Sequence, residues 1–138
     1  MTWTYCALYA AAGLTVPAAA HLHNVSDHTV RAWLDGVEIP PQAAIDAVAD
    51  LLRRIDHTVD ETLHLVADQA PDPSGGTVQL GVAVDDAEAR TLGWPGAGVH
   101  RTVIGQAAAA LMHDGYSVDI VPRGSTPESA AAADQHGA

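Results

Sequence analysis

Residues 14–36 have the sequence LTVPAAAHLHNVSDHTVRAWLDG, which contains the most specific structural signals of the chain. Thr15 can cap a helix whose first turn contains Pro17, where the missing N–H of proline would have been unpaired anyway. Asn24 tolerates the left-handed conformation that often ends a helix. Ser26 can then cap a second helix. The stretch therefore predicts two short helices joined by a tight turn.

The apolar residues of the second predicted helix fall on one face. Val30, Trp33 and Leu34 recur at helical spacing and should pack into the core. Ala20 is small enough for the two helices to approach closely, and Val25 should fill the gap between them. The residues left facing outward would be Asp27, His28, Arg31 and Ala32. This pattern is typical of a helix-turn-helix.

The rest of the N-terminal part is also predicted to be helical. Residues 2–12 should form a short helix that ends near Gly13. An apolar stripe at helical spacing begins after Pro41 and continues to Val66. Whether that helix breaks near His57 is left open. Few large side chains are available for the core, and we expect it to depend on Trp3, Trp33 and Trp94.

The C-terminal part has a different pattern. Residues 70–76 are rich in proline and glycine and indicate a linker. A β-α-α-β pattern follows, with strands at 77–84 and 116–121 and helices at 85–92 and 99–113. Two strands alone form a marginal sheet, so pairing with a second copy of the chain would protect its edges. The alternative is a self-contained sheet packed on its own helices.

The motif resembles the phage-repressor-like helix-turn-helix family, which it fits without a gap from Thr15 to Gly36. The segment TVRAWLDG at 29–36 is similar to that family's recognition helix and following turn. In the family, the N-terminal half of this helix contacts bases in the major groove of double-stranded DNA. The resemblance implies DNA contacts through Thr15, Ser26, Asp27, His28, Thr29, Arg31 and Ala32.

The whole chain is more narrowly similar to the YdiL-like and anti-CRISPR-associated regulators, through residues 25–41 and 105–114. Those proteins combine an N-terminal helix-turn-helix with a small C-terminal dimerisation domain. The resemblance implies a homodimer through residues 77–122, an inverted-repeat operator, and repression of the protein's own or a neighbouring promoter. The chain departs from the family at Val16, where glutamine is frequent, and at Asp27, where a basic or polar residue is frequent. An aspartate can still accept a hydrogen bond from cytosine N4.

The negative charge of the chain is unfavourable for binding nucleic acid. There are 17 acidic residues and six arginines, which give a formal charge of −11, and such acidity opposes non-specific binding. Phosphate contacts would depend on Arg31, Arg53, Arg54 and the N–H groups of helix N-termini. Alternatively, Arg53 and Arg54 complement the negative end of their helix, and Arg31 pairs with Asp27 or Asp35.

Other chemistry finds little support in the sequence. His21 and His23 point to different sides of a helix, and His57 and His64 lie two turns apart, so no zinc site is predicted. Cys6 is the single cysteine, so an internal disulfide is excluded. Its thiol is expected to be buried. We find no catalytic motif and expect neither an enzyme nor a cofactor. The chain lacks an export signal and an apolar run of the ~20 residues that cross a bilayer, so a cytoplasmic location is expected.

The sequence therefore predicts a mainly α protein, with an N-terminal helix-turn-helix bundle and a small β-α-α-β dimerisation domain. The function expected is that of a dimeric, sequence-specific DNA-binding regulator. The alternative is an acidic protein-interaction module, antitoxin-like or adaptor-like, that keeps the helix-turn-helix shape without binding DNA. The predicted parts are a DNA-binding domain at 1–69, a linker at 70–76, a dimerisation domain at 77–123 and a disordered tail at 124–138.

Overall fold

A computed structural model describes residues 2–125, which contain six α-helices and two strands. Their order is α1 (Thr2–Ala12), α2 (Val16–His23), α3 (Asp27–Leu34), α4 (Gln42–Gln69), β1 (Thr77–Val82), α5 (Asp86–Thr91), α6 (Ala97–His113) and β2 (Ser117–Pro122). A 3-10 turn, Arg123–Ser125, follows. The mainly helical class with a small β/α part is as predicted. The predicted tail, 124–138, lies outside the described residues from residue 126 onward.

The long helix α4 connects the two ends of the molecule. Its 28 residues span about 42 Å at the usual rise per residue. Near its N-terminal end, Val48, Leu51 and Ile55 are buried in a cluster with residues of α1, α2 and α3. Near its C-terminal end, Leu63 and Val66 pack against a second cluster formed by α6 and the sheet. The apolar face of α4 therefore packs against the N-terminal helices at one end and against α6 and the sheet at the other.

The two strands are parallel neighbours, with Thr77 opposite Ser117 and Val82 opposite Pro122. A parallel pair requires a crossover connection of a dozen or more residues, and α5 with α6 provides it. The helix α6 packs between α4 and the sheet, where Ala107 and Leu111 are buried. The predicted β-α-α-β order is therefore confirmed in the described residues.

The first cluster of buried side chains joins both sides of the 70–76 linker. It contains Tyr5 and Trp33 from the N-terminal part and Trp94, Val99 and Val103 from the C-terminal part. The backbones of the two parts also touch, because a Cβ on Gly13 would lie 2.6 Å from the carbonyl oxygen of Gly98. The helix-turn-helix region therefore completes its core with residues from beyond the linker.

Several details of the elements differ from the predictions. The first strand ends at Val82 rather than residue 84, because the N–H of Ala83 donates to His100 Nδ1 instead of continuing the strand (2.9 Å). The helix predicted from residue 99 begins at Ala97, whose N–H donates to Asp86 Oδ1 at 2.8 Å. The helix α4 passes His57 without a break.

The prediction for the tryptophans was correct for two of three. Trp33 and Trp94 are 4% and 5% exposed, whereas Trp3 is 75% exposed. Tyr5, two residues later on α1, is fully buried in its place. Residues two apart on a helix project in directions about 200° apart, so burying Tyr5 turns Trp3 outward.

Candidate nucleic-acid interface

The two helices of the motif begin and end where the sequence predicts. Thr15 Oγ1 accepts the N–H of Ala18 at 3.3 Å, and Ser26 Oγ accepts the N–H of Thr29 at 3.2 Å. Asn24 ends α2 in the left-handed region, with φ 56° and ψ 48°. These three local signals satisfy backbone groups that would otherwise be unpaired at the helix ends. The turn between α2 and α3 is therefore fixed by its own side chains.

The indole ring of Trp33 holds α3 against the other helices. It lies edge-on to the ring of Tyr5 from α1, at 5.6 Å, and to the ring of His23 from α2, at 5.4 Å between centroids. Edge-on aromatic pairs at this distance are favourable. Val30 is fully buried beside them. Because Val30 and Trp33 face inward, the opposite face of α3 is presented to solvent.

The solvent-facing side of α3 carries most of the predicted DNA-contacting residues. His28 and Arg31 are exposed, as is the capping Ser26, and Asp27 and Thr29 are half-buried. Thr15 is exposed at the start of α2. The helix-turn-helix thus brings six of the seven predicted residues to the surface: Thr15, Ser26, Asp27, His28, Thr29 and Arg31.

The seventh residue, Ala32, was predicted to face outward, and this is wrong. Ala32 is only 7% exposed. The chain turns back immediately after α3, and the N–H groups of Val37 and Glu38 both donate to the carbonyl oxygen of Ala32, at 2.9 and 3.1 Å. This returning turn brings the chain back over Ala32 and makes a contact with a base implausible on steric grounds.

Arg31 forms no ion pair within the part of the chain that the structure describes. The ion pairs found there join Arg53 to Asp50 and His57 to Glu61. The alternative in which Arg31 pairs with an aspartate one turn away is therefore not observed. Its guanidinium remains available to an external acceptor.

Arg53 and Arg54 have other partners. Arg53 pairs with Asp50 on the same helix. Arg54 lies over the ring of Trp94, with its guanidinium carbon 4.0 Å from the ring centroid, and donates to the carbonyl oxygen of Gly93 at 2.5 Å. Because α4 continues to Gln69, neither arginine is near the end of its helix, and the predicted interaction with its negative end is wrong.

Two exposed apolar residues near the motif were missed by the sequence reasoning. Val37 and Ile39 lie in the turn after α3 and are 78% and 80% exposed. The sequence did contain a signal for their exposure. Val37 and Ile39 lie in the short segment between Gly36 and Pro40, which is too short to fold over them and bury them. They add an apolar element to the surface next to α3.

The single thiol, predicted to be buried, is partly accessible. Cys6 is half-buried on α1, and its sulfur lies 3.8 Å from the carbonyl oxygen of Leu34. Within residues 2–125, no group of three or more histidine, cysteine or acidic side chains is arranged to hold a metal ion. No single helix in this range is long and apolar enough to span a bilayer. The segments Trp3–Ala12 and Val16–His23, bent by 105° at their junction, reach that composition only together.

No family model matches the chain, and no curated protein matches it significantly.

Proposed function

We propose that this protein is a sequence-specific double-stranded-DNA-binding transcription regulator that acts as a homodimer. The observation that carries the proposal is the capped α2–α3 pair, in which Val30 and Trp33 are buried while His28 and Arg31 are exposed. A helix held in this way can enter the major groove with its polar face toward the bases. By the resemblance to phage-type regulators, the proposed outcome is repression of its own or a neighbouring promoter.

Arg31 is the side chain best suited to base recognition. It is exposed, and it has no ion-pair partner in the described residues. A guanidinium can donate in a fork to O6 and N7 of guanine, the commonest specific contact in the major groove. His28, one turn earlier on the same helix, can donate or accept a hydrogen bond at a neighbouring base edge.

The acidity of the chain limits the mode of binding. Of the three N-terminal arginines, Arg53 is paired and Arg54 is stacked on Trp94, whereas Arg31 has neither an ion pair nor an aromatic partner among the described residues. Phosphate contacts therefore depend on the N-termini of α2 and α3, where unpaired N–H groups and the helix dipole favour anions. We expect weak non-specific binding and a shallow dependence of affinity on salt concentration.

The experiment that tests the proposal is selection of duplexes from a random pool with the full-length protein, followed by sequencing. The expected result is an inverted repeat whose half-sites are about one helical turn apart. A parallel selection with Arg31→Ala should lose the preference for guanine at one position of each half-site. If the wild-type pool stays random and no duplex binds at low salt, the DNA proposal is wrong.

A second candidate is an acidic protein-interaction module, antitoxin-like or adaptor-like. The formal charge of −11 and the exposed Val37 and Ile39 beside the motif favour it. Its partner would be a basic protein with an apolar contact surface. A protein that binds no duplex in the selection experiment, yet remains folded, would support this candidate over the first.

A further inference from the structure

A surface pocket of about 280 Å³ lies where α2, α4 and α5 meet. Its apolar lining includes Leu22 and Leu51, and the turn Gly93–Pro95 that leads into α6 also lines it. The polar side chains around it are His21, Arg54 and Arg90. This volume lies just below the range of about 300–1,000 Å³ that is usual for small-molecule sites, so only a small ligand would fit.

The charge of this pocket is opposite to that of the protein. Two of the six arginines of the chain line it, and none of the described residues lining it is acidic. The whole chain contains 17 acidic residues, so a pocket lined by two arginines and by no acidic residue is unexpected from composition. A bound anion would meet two guanidinium groups and an imidazole, without a neighbouring negative charge in the lining.

Both guanidinium groups are held in place while most of their donors remain unused. Arg54 Nη1 donates to the carbonyl oxygen of Gly93 at 2.5 Å, with the group 4.0 Å above the Trp94 ring. Arg90 Nε donates to the carbonyl oxygen of Pro95 at 3.2 Å. Each group therefore has other N–H donors available, and its orientation is set before any ligand arrives. Pre-positioned guanidinium forks suit the two-oxygen geometry of carboxylates and phosphates.

We propose that this pocket binds a small organic or inorganic anion through a carboxylate or phosphate group. Arg54 and Arg90 hold the oxyanion, and Leu22 and Leu51 contact the apolar part of a larger ligand. The site is separate from the α3 surface proposed for DNA, because no residue of α3 lines it. The ligand would connect α2 to α4 and to the turn before α6, and so would stabilise the packing of the helix-turn-helix.

The test is calorimetric titration of the full-length protein, without DNA, with inorganic phosphate and separately with succinate, at constant ionic strength in a chloride buffer. Saturable binding of at least one probe, with a raised melting temperature, is the expected result. Arg90→Gln should weaken that binding about tenfold, the effect of removing one charged hydrogen-bonding partner. The two probes distinguish a phosphate ligand from a carboxylate ligand.

Arg101→Gln is the matched control, because Arg101 is exposed on α6, lies outside the pocket and carries the same charge. It should leave the affinity for either probe unchanged. Arg54→Lys provides a second pocket variant that keeps the charge and loses the fork, and it should also weaken binding. Melting curves identify any variant that fails to fold.

Three results would overturn the proposal. The first is the absence of saturable binding of both probes. The second is an equal effect of Arg90→Gln and Arg101→Gln, which would indicate non-specific charge attraction. The third is a folded Arg90→Gln protein that binds the probes normally, whether or not its binding to duplex DNA changes. Since the titration contains no DNA, failure of the proposed DNA function would not affect its outcome.

Discussion

The hydroxyl oxygen of Tyr5 lies 2.9 Å from Nε2 of His23, and this contact joins α1 to the end of α2. Burial raises the pKa of Tyr5 to about 12 and lowers the pKa of His23 below its ordinary value. Both side chains are therefore neutral at pH 7. Together they form the surface on which Trp33 of α3 packs. The position of α3 thus depends on a polar contact inside an aromatic cluster.

The first prediction concerns the face of α3. Trp33→Ala should lower the free energy of unfolding by about 3–5 kcal/mol, because it removes a nearly fully buried ring. His28→Ala should change it by less than about 0.5 kcal/mol, since His28 is exposed. Urea denaturation of the two variants beside the wild type measures both values. The reverse ranking would mean that α3 is rotated relative to this description.

The second prediction concerns acid sensitivity. His100 is buried, and its Nδ1 accepts the N–H of Ala83 at 2.9 Å. Burial lowers the pKa of His100, with a further contribution from Arg123, and burial also lowers the pKa of His23. Since the unfolded chain then binds protons more readily, stability should be complete above pH ~6.5 and should fall as the pH decreases toward the folded-state pKa values.

Thermal melts across this pH range provide the measurement. His100→Asn should reduce the acid sensitivity, because an amide oxygen can accept the N–H of Ala83 without taking up a proton. His28→Gln is the control, because His28 is exposed and belongs to none of the ion pairs of the described residues, so its replacement should leave the pH profile nearly unchanged. If His100→Asn left the pH profile unaltered, protonation of His100 would not be the cause of the acid sensitivity.

The third prediction concerns the close approach of α1 and α6. Gly13 has φ +76°, and a Cβ there would collide with the side chain of Thr102 and the carbonyl oxygen of Gly98. Gly13→Ala should therefore destabilise the protein by about 2–4 kcal/mol, from backbone strain and overpacking together. Gly105→Ala is the matched control within α6, where a Cβ meets nothing within 4 Å. It should stabilise the protein by about 0.5–1 kcal/mol. Equal effects in denaturation experiments would argue against the contact.

Local signals in the sequence were sufficient to predict the motif. Thr15, Asn24 and Ser26 each act within three or four residues of their own position, and all three predictions are confirmed. The β-α-α-β order followed in the same way from periodicity. The predictions for Trp3 and Ala32 failed, because their exposure depends on which neighbouring residue occupies the core and on the path of the chain after α3.

The shared core and the arginine pocket were beyond the sequence reasoning for a related reason. Both depend on contacts between residues far apart in the chain, such as that of Arg54 with Trp94. No short motif encodes such a contact. The linker at 70–76 also suggested separation, whereas the side chains on its two sides pack into one cluster.

The fourth prediction concerns base recognition. Arg31→Ala should weaken binding to a selected duplex by about 1–3 kcal/mol and should affect a scrambled duplex far less. Arg101→Ala, which removes the same charge from α6, should affect the two duplexes equally. Fluorescence anisotropy at several salt concentrations measures the difference. If the Arg31 variant bound the selected duplex as tightly as the wild type, other residues of the motif would have to contact the bases.

The fifth prediction concerns assembly. Within residues 2–125 each strand pairs only with the other, so each leaves one edge unpaired. Ile120 is 45% exposed, although its partner across the sheet, Leu80, is only 8% exposed. If a second copy covers this region, the wild type should sediment as a dimer and Ile120→Lys as a folded monomer. Ser117→Lys, at an exposed position on the same strand, is the control and should remain dimeric. A monomeric wild type would contradict the proposed dimer.

The core shared across the linker also has a consequence for synthesis of the protein on the ribosome. The buried cluster that α4 forms with α1, α2 and α3 stays incomplete until Val99 and Val103 have been synthesised. At ordinary bacterial and eukaryotic elongation rates, the 34 residues from Gln69 to Val103 take about 2–7 s. In this interval the nascent chain exposes apolar side chains that are buried in the folded protein. A fragment that ends before Val103 would keep these apolar side chains exposed, and we expect it to aggregate and to be proteolysed more readily than the full-length protein.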